Sequence, residues 1–433
     1  MLRQKAFAIS VLARAVYAAA GLSVLALPPV FGASAAPSPA ALTATPATSD
    51  FIFPPGATVV DVPFELEQNN PLVRVRINGS EPIWMVLDTG AGVNVLDAGL
   101  AERLGLRAGG GQVHLQAAGN AVTAAVVEDA SLALGGLTVQ RQQITTVPLA
   151  DLRALSGRPV HGLIGTAFLH RFVVEFDHTR RVARFHRPEN YRAPASATVL
   201  PIKIDSLLVP LVEAEIFVAE GKTLRDWFLI DSGSSRIFQL GAPFAQTHGV
   251  LEALPAASKA EGVGGAGVGG EIRFMEARVA SIRLGPHVLK QPVVSVSQDT
   301  AGLNASKALP GLLGTGLLRR FTVTIDYPGR RLLLEPNATF AEPFEVDMSG
   351  LELTTKPDDH TLVSLRKVRA NFPAAAADLR AGDVLVAVDG RAAGELGLGT
   401  LVELFKRDGR AYRLTLRRGA ETFERTLTPR RAL

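Results

Sequence analysis

The chain has 433 residues, of which 47% are hydrophobic and 20% are charged, and this balance excludes wholesale disorder. Its length corresponds to roughly three domains. The formal net charge is +4. Removal of an amino-terminal segment with Arg3, Lys5 and Arg14 would leave about +1, without the basic face that nucleic-acid binding requires. The absence of cysteine excludes disulfides, thiol nucleophiles and cysteine-ligated metal sites.

The amino terminus is typical of a secretory leader. Arg3 and Lys5 precede an apolar stretch at residues 16–27, and the small-x-small triplet Ala33-Ser34-Ala35 follows. We therefore expect residues 1–35 to be a signal peptide and the mature protein to be periplasmic or secreted. The alternative is an uncleaved amino-terminal anchor that faces the periplasm, although the apolar stretch is short for a span of about 20 residues. Contact with a membrane is expected only if the leader is retained.

After the leader the sequence pattern changes twice. Residues 36–57 are rich in Ala, Pro, Ser and Thr and lack periodicity, which predicts an extended linker. From Val59 onward, short alternating segments such as residues 72–77 are closed by turn residues such as Asn78-Gly79. These segments predict β-sheet. Helical patterns are sparse until the carboxyl-terminal part of the chain, where residues 401–405 predict a short helix.

Two parts of the chain repeat each other. The segment Trp-Met-Val-Leu-Asp-Thr-Gly at residues 84–90 recurs as Trp-Phe-Leu-Ile-Asp-Ser-Gly at residues 227–233, and these segments hold the only two tryptophans. A second matched pair follows in each copy, Gly-Leu-Ile-Gly-Thr-Ala-Phe-Leu at residues 162–169 and Gly-Leu-Leu-Gly-Thr-Gly-Leu-Leu at residues 311–318. The repeat predicts a duplicated β-lobe.

Each copy places an aspartate, Asp88 or Asp231, directly after four apolar residues. A carboxylate at the end of a buried strand must be solvated by backbone donors, paired or protonated. Two such carboxyls that come together share one proton, because like charges at close range do not both ionise. One carboxyl can then act as general base on a water molecule while the other donates a proton to a scissile carbonyl.

The residues that follow each aspartate suit this arrangement. The hydroxyl groups of Thr89 and Ser232 can donate hydrogen bonds in the two turns, and Gly90 and Gly233 allow the backbones to approach closely. A single triplet of this kind is a weak signal, because aspartate followed by small residues is also common in ordinary turns. Two equivalently placed triplets favour the catalytic interpretation.

At these residues the sequence resembles the retropepsin-like aspartic proteases, in the single-chain bacterial form with two lobes. The resemblance covers residues 58–342, and it depends on both Asp-Thr/Ser-Gly triplets and on the later elements Leu163-Ile164-Gly165 and Leu312-Leu313-Gly314. It implies that Asp88 and Asp231 are the catalytic residues, one from each lobe.

The resemblance also implies a β-hairpin flap over the cleft. The candidate flap residues are Gly119 and Asn120 in the first lobe, and Gly264 and Gly265 in the second. The second pair lies within residues 262–267, which match the Gly-x-Gly-x-x-Gly pattern of dinucleotide-binding loops. We expect no strand before this segment and no helix after it, so the pattern favours a flap or loop over a dinucleotide site.

The carboxyl-terminal residues 343–433 have a pattern of their own. Residues 372–390 predict a short helix, a glycine turn, an apolar strand and an Asp-Gly turn. This stretch is similar to the Ala-Gly-Leu-x-x-Gly-Asp-x-Ile signature of bacterial PDZ domains, with Asp378 in place of the usual glycine. In that family a loop captures a peptide carboxylate while the peptide pairs with a sheet edge. The candidate peptide-binding residues are Gly350, Leu351, Glu352 and Leu353. Binding of a peptide or protein C-terminus and bracing of the protease both remain open as roles.

The combined prediction is a mainly β protein, with two retropepsin-like acid-protease β-lobes that form a pseudo-dimer, followed by a small α/β PDZ domain. The predicted divisions are residues 1–35 (signal peptide), 36–57 (linker), 58–195 (first lobe), 196–342 (second lobe) and 343–433 (PDZ domain). The predicted function is that of an aspartic endopeptidase that cleaves exported polypeptides and needs no metal or other cofactor. The alternatives are a non-catalytic peptide-binding scaffold of the same fold, and lobes that pair between two chains.

Overall fold

The computed structural model describes residues 50–115, 117–118, 120–262 and 264–433. The predicted signal peptide, most of the predicted linker and Gly119 lie outside these residues. Strands make up 48% and helices 14% of the structure, so the predicted mainly β fold is confirmed. Within the described ranges, none of the helices has the length and apolar character needed to cross a bilayer.

The first copy of the repeat is built on a nine-stranded sheet in the order β1-β9-β6-β10-β5-β4-β8-β7, with β3 on β4. The strands of this copy are β1 (Phe51–Ile52), β2 (Val59–Pro63), β3 (Glu65–Glu67), β4 (Asn70–Ile77), β5 (Ile83–Leu87), β6 (Asn94–Asp97), β7 (Ala108–Leu115), β8 (Val122–Leu134), β9 (Leu137–Val147), β10 (Val160–Ile164), β11 (Val173–Asp177) and β12 (Val182–His186). Its helices are α1 (Ala98–Arg103), α2 (Ala150–Ser156) and α3 (Thr166–Leu169).

Strand β5 lies inside its sheet and leads directly into the turn of Asp88. It pairs antiparallel with β4 on one side and parallel with β10 on the other. The turn between β4 and β5 begins with Asn78 and Gly79, both of which have positive φ (48° and 77°). Asparagine and glycine are the residues that adopt this conformation most readily, as the sequence pattern predicted. Met85 and Leu87 are fully buried, which is the position expected of an apolar run between two neighbouring strands.

The second copy repeats this arrangement. Its strands are β13 (Thr198–Ile204), β14 (Pro210–Ala219), β15 (Lys222–Asp231), β16 (Phe238–Leu240), β17 (Lys259–Glu261), β18 (Gly265–Gly267), β19 (Gly270–Ile272), β20 (Phe274–Arg278), β21 (Ser281–Leu284), β22 (His287–Lys290), β23 (Val293–Ser297), β24 (Gly311–Gly314), β25 (Phe321–Asp326) and β26 (Arg331–Pro336), and its helices are α4 (Ala242–Thr247) and α5 (Thr315–Leu318). Strand β15 pairs parallel with β24, β24 antiparallel with β16, and β16 parallel with β23. The strands β5, β10, β6 and β9 have the same relations.

A continuous sheet joins the two copies. This sheet has 15 strands, and its part in the order β13-β26-β25-β11-β12-β2 takes three strands from each copy. At the centre, β11 pairs antiparallel with β25, with Val173 opposite Asp326 and Asp177 opposite Thr322. Because Asp177 and Asp326 occupy matching positions in the repeat, this strand pair has a local two-fold relation. One hydrophobic core extends through both copies.

Ordered β-structure begins before residue 57, the predicted end of the linker. Strand β1, at residues 51–52, pairs antiparallel with β9. Phe53 is buried, and the rings of Phe51 and Phe53 lie 5.1 and 6.0 Å from that of Phe172. The linker prediction is therefore wrong for residues 51–53. Composition concealed them because two aromatic side chains can be buried without any periodic pattern around them.

The carboxyl-terminal module, residues 343–433, has a separate six-stranded sheet in the order β27-β28-β29-β31-β32, with β30 on β29. Its elements are β27 (Leu351–Lys356), β28 (Asp359–Val368), α6 (Pro373–Ala376), β29 (Val384–Val388), β30 (Arg391–Ala392), α7 (Ala393–Leu404), β31 (Tyr412–Arg418) and β32 (Glu421–Leu427). A separate core of residues such as Val363, Leu401 and Phe405 holds it together. Helix α7 starts well before the predicted residues 401–405. The sequence concealed its first part because glycine weakens the helical pattern, and Gly397 (φ 73°) interrupts the helix.

Candidate active site

The two aspartates lie in turns of the same construction. In the first turn, the backbone N–H groups of Gly90 and Ala91 donate to Oδ1 of Asp88 over 2.9 and 3.0 Å. In the second turn, the N–H groups two and three residues after Asp231 donate to its Oδ1 over the same distances. Each carboxyl therefore has one oxygen held by its own turn, which orients the group.

The two turns face each other closely. The carboxyl groups of Asp88 and Asp231 lie close enough for each to shift the pKa of the other. Each glycine of the triplets lies against the opposite carboxyl: a Cβ atom at Gly90 would lie 2.6 Å from Cγ of Asp231, and one at Gly233 would lie 2.3 Å from Cγ of Asp88. Only glycine fits at these two positions. The sequence-predicted pair is thus brought together across 143 positions of the chain.

Thr89 and Ser232 connect the two turns through a reciprocal set of hydrogen bonds. Oγ1 of Thr89 accepts from the N–H of Ser232 (2.9 Å) and donates to the carbonyl of Ile230 (2.6 Å). Oγ of Ser232 accepts from the N–H of Thr89 (3.1 Å) and donates to the carbonyl of Leu87 (2.7 Å). The sequence predicted that these hydroxyls donate within their own turns. They bond to the other copy instead, because the turns lie against each other.

Burial raises the pKa of both carboxyls. The negative charge of Asp88 further raises the pKa of Asp231, well above its ordinary value, while the backbone N–H donors of each turn act in the opposite direction. The pair therefore keeps one proton at pH values where two isolated carboxyls would both be ionised. Both residues remain partly exposed to solvent.

The apolar-apolar-Gly elements pack directly against the two aspartate turns. A Cβ atom at Gly165 would lie 2.2 Å from the carbonyl oxygen of Val93, and one at Gly314 would lie 2.2 Å from that of Arg236. The next residue in each element, Thr166 or Thr315, is fully buried, and its N–H donates to a carbonyl of the adjacent turn over 2.7 or 2.8 Å. Sequence reasoning missed these two threonines. The Gly-Thr pair shared by both copies was the signal that could have identified them.

Two of the flap candidates, Asn120 and Gly265, lie on hairpins that meet at their tips. Asn120, between β7 and β8, donates from its backbone N–H to the carbonyl of Gly269, between β18 and β19, over 2.8 Å. Gly269 has φ 95°, and a Cβ atom there would lie 2.1 Å from the carbonyl oxygen of Asn120. Gly265 begins β18, whereas Gly264 precedes it and contacts the carboxyl-terminal module.

The structural context of the Gly-x-Gly-x-x-Gly segment at residues 262–267 differs from the prediction on its amino-terminal side. A short strand, β17, ends directly before it, so the prediction that no strand precedes the segment is wrong. The segment then enters β18 of the hairpin, and no helix follows it directly. A dinucleotide loop needs the amino terminus of a helix for the phosphates, so this context does not favour dinucleotide binding.

Comparison with known proteins identifies one segment of the chain. Residues 73–168 match the family model described as aspartyl protease. This segment contains Asp88 and the first apolar-apolar-Gly element, and the match supports a protease function. No curated protein matches the chain. Among solved structures, the aspartic proteinase from Irpex lacteus is similar, with 14% sequence identity and a TM-score of 0.42, over 66% of this chain and 98% of that protein.

The four candidate peptide-binding residues of the carboxyl-terminal module lie next to the rest of the protein. The N–H of Gly350 donates to Asp347 and that of Leu351 to Ser349, so both are already bonded locally. Glu352 is buried and accepts from the N–H of Gly264. Leu353 is partly buried against the core of the module.

Helix α2 of the first copy lies against β27, the strand that contains three of these residues, Leu351, Glu352 and Leu353. The hydroxyl groups of Thr354 and Thr355 both donate to the carbonyl of Ala154, over 3.3 and 3.1 Å. The module therefore contacts the first copy through β27 as well as the second copy through Glu352. Within the described ranges, no three His, Asp or Glu side chains cluster as metal ligands do, and the absence of a cofactor stays a prediction.

Proposed function

We propose that the protein is an aspartic endopeptidase in which Asp88 and Asp231 act as one catalytic dyad. The observation that carries this proposal is the adjacent pair of carboxyls, held by two turns of equal construction that face each other. The reciprocal bonds of Thr89 and Ser232 support it, because they make the position of one turn depend on the other. The aspartyl protease match of residues 73–168 is consistent with the same chemistry.

The dyad would act through its shared proton. The ionised carboxyl takes a proton from a water molecule, whose oxygen attacks the carbonyl carbon of the scissile peptide. The protonated carboxyl gives its proton to the carbonyl oxygen, which yields a neutral tetrahedral diol. One dyad carboxyl then gives its proton to the leaving nitrogen while the other carboxyl takes a proton from a diol hydroxyl. The C–N bond breaks, a carboxylic acid and an amine leave, and the dyad again holds one proton. Water is the nucleophile throughout, so no acyl-enzyme forms.

The proposed architecture is a pseudo-dimer of two acid-protease lobes, residues 58–195 and 196–342. The matching strand relations around β5 and β15 and the two-fold pairing of β11 with β25 support it. Because both aspartates come from one chain, pairing between two chains is not needed. A polypeptide substrate would bind as an extended strand beneath the two hairpin flaps, with backbone hydrogen bonds on both sides.

We further propose that residues 343–433 form a PDZ domain and that the protein is exported. The separate core of the module and its strand–helix order support a domain of its own. Residues 350–353 remain the candidates for binding a substrate or partner C-terminus. Export depends on the leader at residues 1–35, which would be removed in a periplasmic or secreted protein or retained as an anchor facing the periplasm.

Replacement of one dyad carboxyl tests the function. In the full mature chain, Asp88→Asn should lower kcat/KM on a denatured protein substrate by about 10³-fold or more, because the amide cannot serve as a base. Asp129→Asn is the matched control, since Asp129 is exposed and its positive φ suits asparagine. Substantial cleavage by the Asp88→Asn protein would overturn the dyad. Binding without cleavage by the wild type would favour the scaffold alternative.

A further inference from the structure

The carboxyl-terminal module forms ion pairs and hydrogen bonds with one of the two flaps. We define the second flap as residues 261–272, which contain β18 and β19. Lys367 Nζ lies 2.6 Å from Oε1 of Glu261 at the start of this flap, and Arg366 Nη1 lies 3.2 Å from Oε1 of Glu271 at its end. Arg369 donates to the backbone carbonyl of Glu261. Both arms of the hairpin are therefore held from β28 and the residue that follows it.

Glu352 is the centre of this contact. Its side chain is only 3% exposed, and it accepts from the N–H of Gly264 over 2.9 Å and from Arg366 Nη2 over 2.6 Å. A buried carboxylate needs such partners to offset the loss of water. One of these partners is the backbone of the flap itself. If the flap moved away, Glu352 would lose a charge-assisted hydrogen bond, so closed flap and seated module stabilise each other.

The first flap, residues 108–122, is held differently. Among the described residues, no hydrogen bond or ion pair joins it to the carboxyl-terminal module. Its tip instead bonds to the second flap, where Asn120 donates to Gly269 through both its backbone N–H (2.8 Å) and its side chain (3.3 Å). Among the hydrogen bonds and ion pairs of the described residues, the module therefore joins the second flap directly and the first flap through the second.

We propose that the carboxyl-terminal module is a clamp that sets the closure of both flaps, with Glu352 and Lys367 as positioning residues. This inference rests on the proposed function. The clamp has two parts of unequal strength. The pair of Lys367 with Glu261 is about half exposed on both sides and is weak and salt-sensitive. The Glu352 side chain, which accepts from Gly264, is buried. A partner that binds the module and displaces it from the second flap would open the cleft. The module would therefore link binding of a partner to entry of substrate.

A charge exchange tests the exposed part of the clamp. Hydrogen exchange of residues 261–272 is measured in the full chain for Lys367→Glu, Glu261→Lys and the double variant. Each single variant should exchange about 3-fold faster, because two like charges then face each other, and the double variant should return to the wild-type rate. Arg380→Glu is the matched control, since it reverses an exposed pair of the same module, with Asp378, outside the flap contact. Single variants without effect, or a double variant that is not rescued, would overturn the clamp.

The buried part is tested with two substitutions of one residue. Glu352→Ala should speed exchange of the second flap at least about 10-fold, and Glu352→Gln should have a smaller effect because its amide oxygen still accepts from Gly264. Exchange in β31 reports whether the module stays folded. On a short peptide substrate, Glu352→Ala should raise KM more than it lowers kcat, because closure contributes to binding.

The exchange readout is independent of catalysis, so the two hypotheses fail separately. A protein that cleaves peptides but whose second flap is unaffected by Glu352→Ala and by charge exchange has no clamp. A protein whose flap loosens as expected but which cleaves nothing retains the clamp and loses the protease assignment. If Glu352→Ala also speeds hydrogen exchange in β31, the module itself has been destabilised. The charge-exchange variants of Lys367 and Glu261 then still test the clamp, because Lys367 lies outside the core of the module.

Discussion

The two copies of the repeat are alike at their aspartate turns and unlike five residues later. Val93 and Arg236 occupy equivalent positions, since their carbonyl oxygens lie against Gly165 and Gly314 at the same distance. Val93 packs with an apolar cluster of the first copy. Arg236 forms a 3.0 Å ion pair with Glu276, which is almost fully buried.

This difference shows which positions of the repeat must match in both copies and which can differ between them. Each turn contacts the other carboxyl directly, so a change in one turn displaces both. The side chains of Val93 and Arg236 do not belong to that contact. A Cβ atom at Gly265 would lie 3.5 Å from Arg236, which places the arginine beside the second flap. The aspartate turns of the two copies are therefore alike, while the position five residues after the aspartate is apolar in the first copy and charged in the second.

The strongest test of this symmetry changes the triplet glycines. Gly90→Ala and Gly233→Ala should each lower kcat/KM by about 10²-fold or more, because the added methyl group collides with the opposite carboxyl and displaces it. Gly99→Ala, whose new Cβ atom would meet only ordinary contacts, should leave kcat/KM within about two-fold. Near-normal activity in one of the two triplet variants would show that the turns act independently.

A smaller effect is expected from the hydroxyl groups that join the turns. Thr89→Val removes two buried hydrogen bonds to the other copy and leaves the N–H of Ser232 without its partner. The free energy of unfolding, measured by urea denaturation, should fall by about 3 kcal/mol. Thr89→Ser keeps the hydroxyl and should lose less than about 1 kcal/mol. A loss in Thr89→Val no greater than in Thr89→Ser would contradict the coupling of the two turns.

The smallest loss of stability is expected from a substitution of Arg236, the position at which the two copies differ. Arg236→Lys keeps the charge beside Glu276 but loses the flat stacking over Phe274, 4.4 Å from the ring centre. Urea denaturation should show a loss of about 1 kcal/mol, with little change in kcat. Arg283→Lys is a matched control, because Arg283 also pairs with a glutamate and lies over a phenylalanine but is more exposed. A large fall in kcat for Arg236→Lys would link this position to the dyad.

The repeat made part of this arrangement predictable. Two identical patterns of apolar residues followed by Asp-Thr/Ser-Gly indicated that the two aspartates end equivalent buried strands, and the strand pairs of β5 and β15 have that form. The roles of Thr166 and Thr315 were not predicted, because a single threonine after a glycine has no distinctive local pattern and only its recurrence in both copies could have indicated them. Helix α7 was underestimated because its glycines weaken the helical signal.

Sequence alone determined the duplicated turns, the mainly β character and the separate pattern of residues 343–433. All three depend on periodicity and on short-range residue order, which the chain displays directly. Only the tertiary structure decided that Thr89 and Ser232 bond across the copies, that Phe53 belongs to the core and that Glu352 meets the second flap. These contacts join residues far apart in the chain, and their partners are chosen by packing, which leaves no local periodic signal.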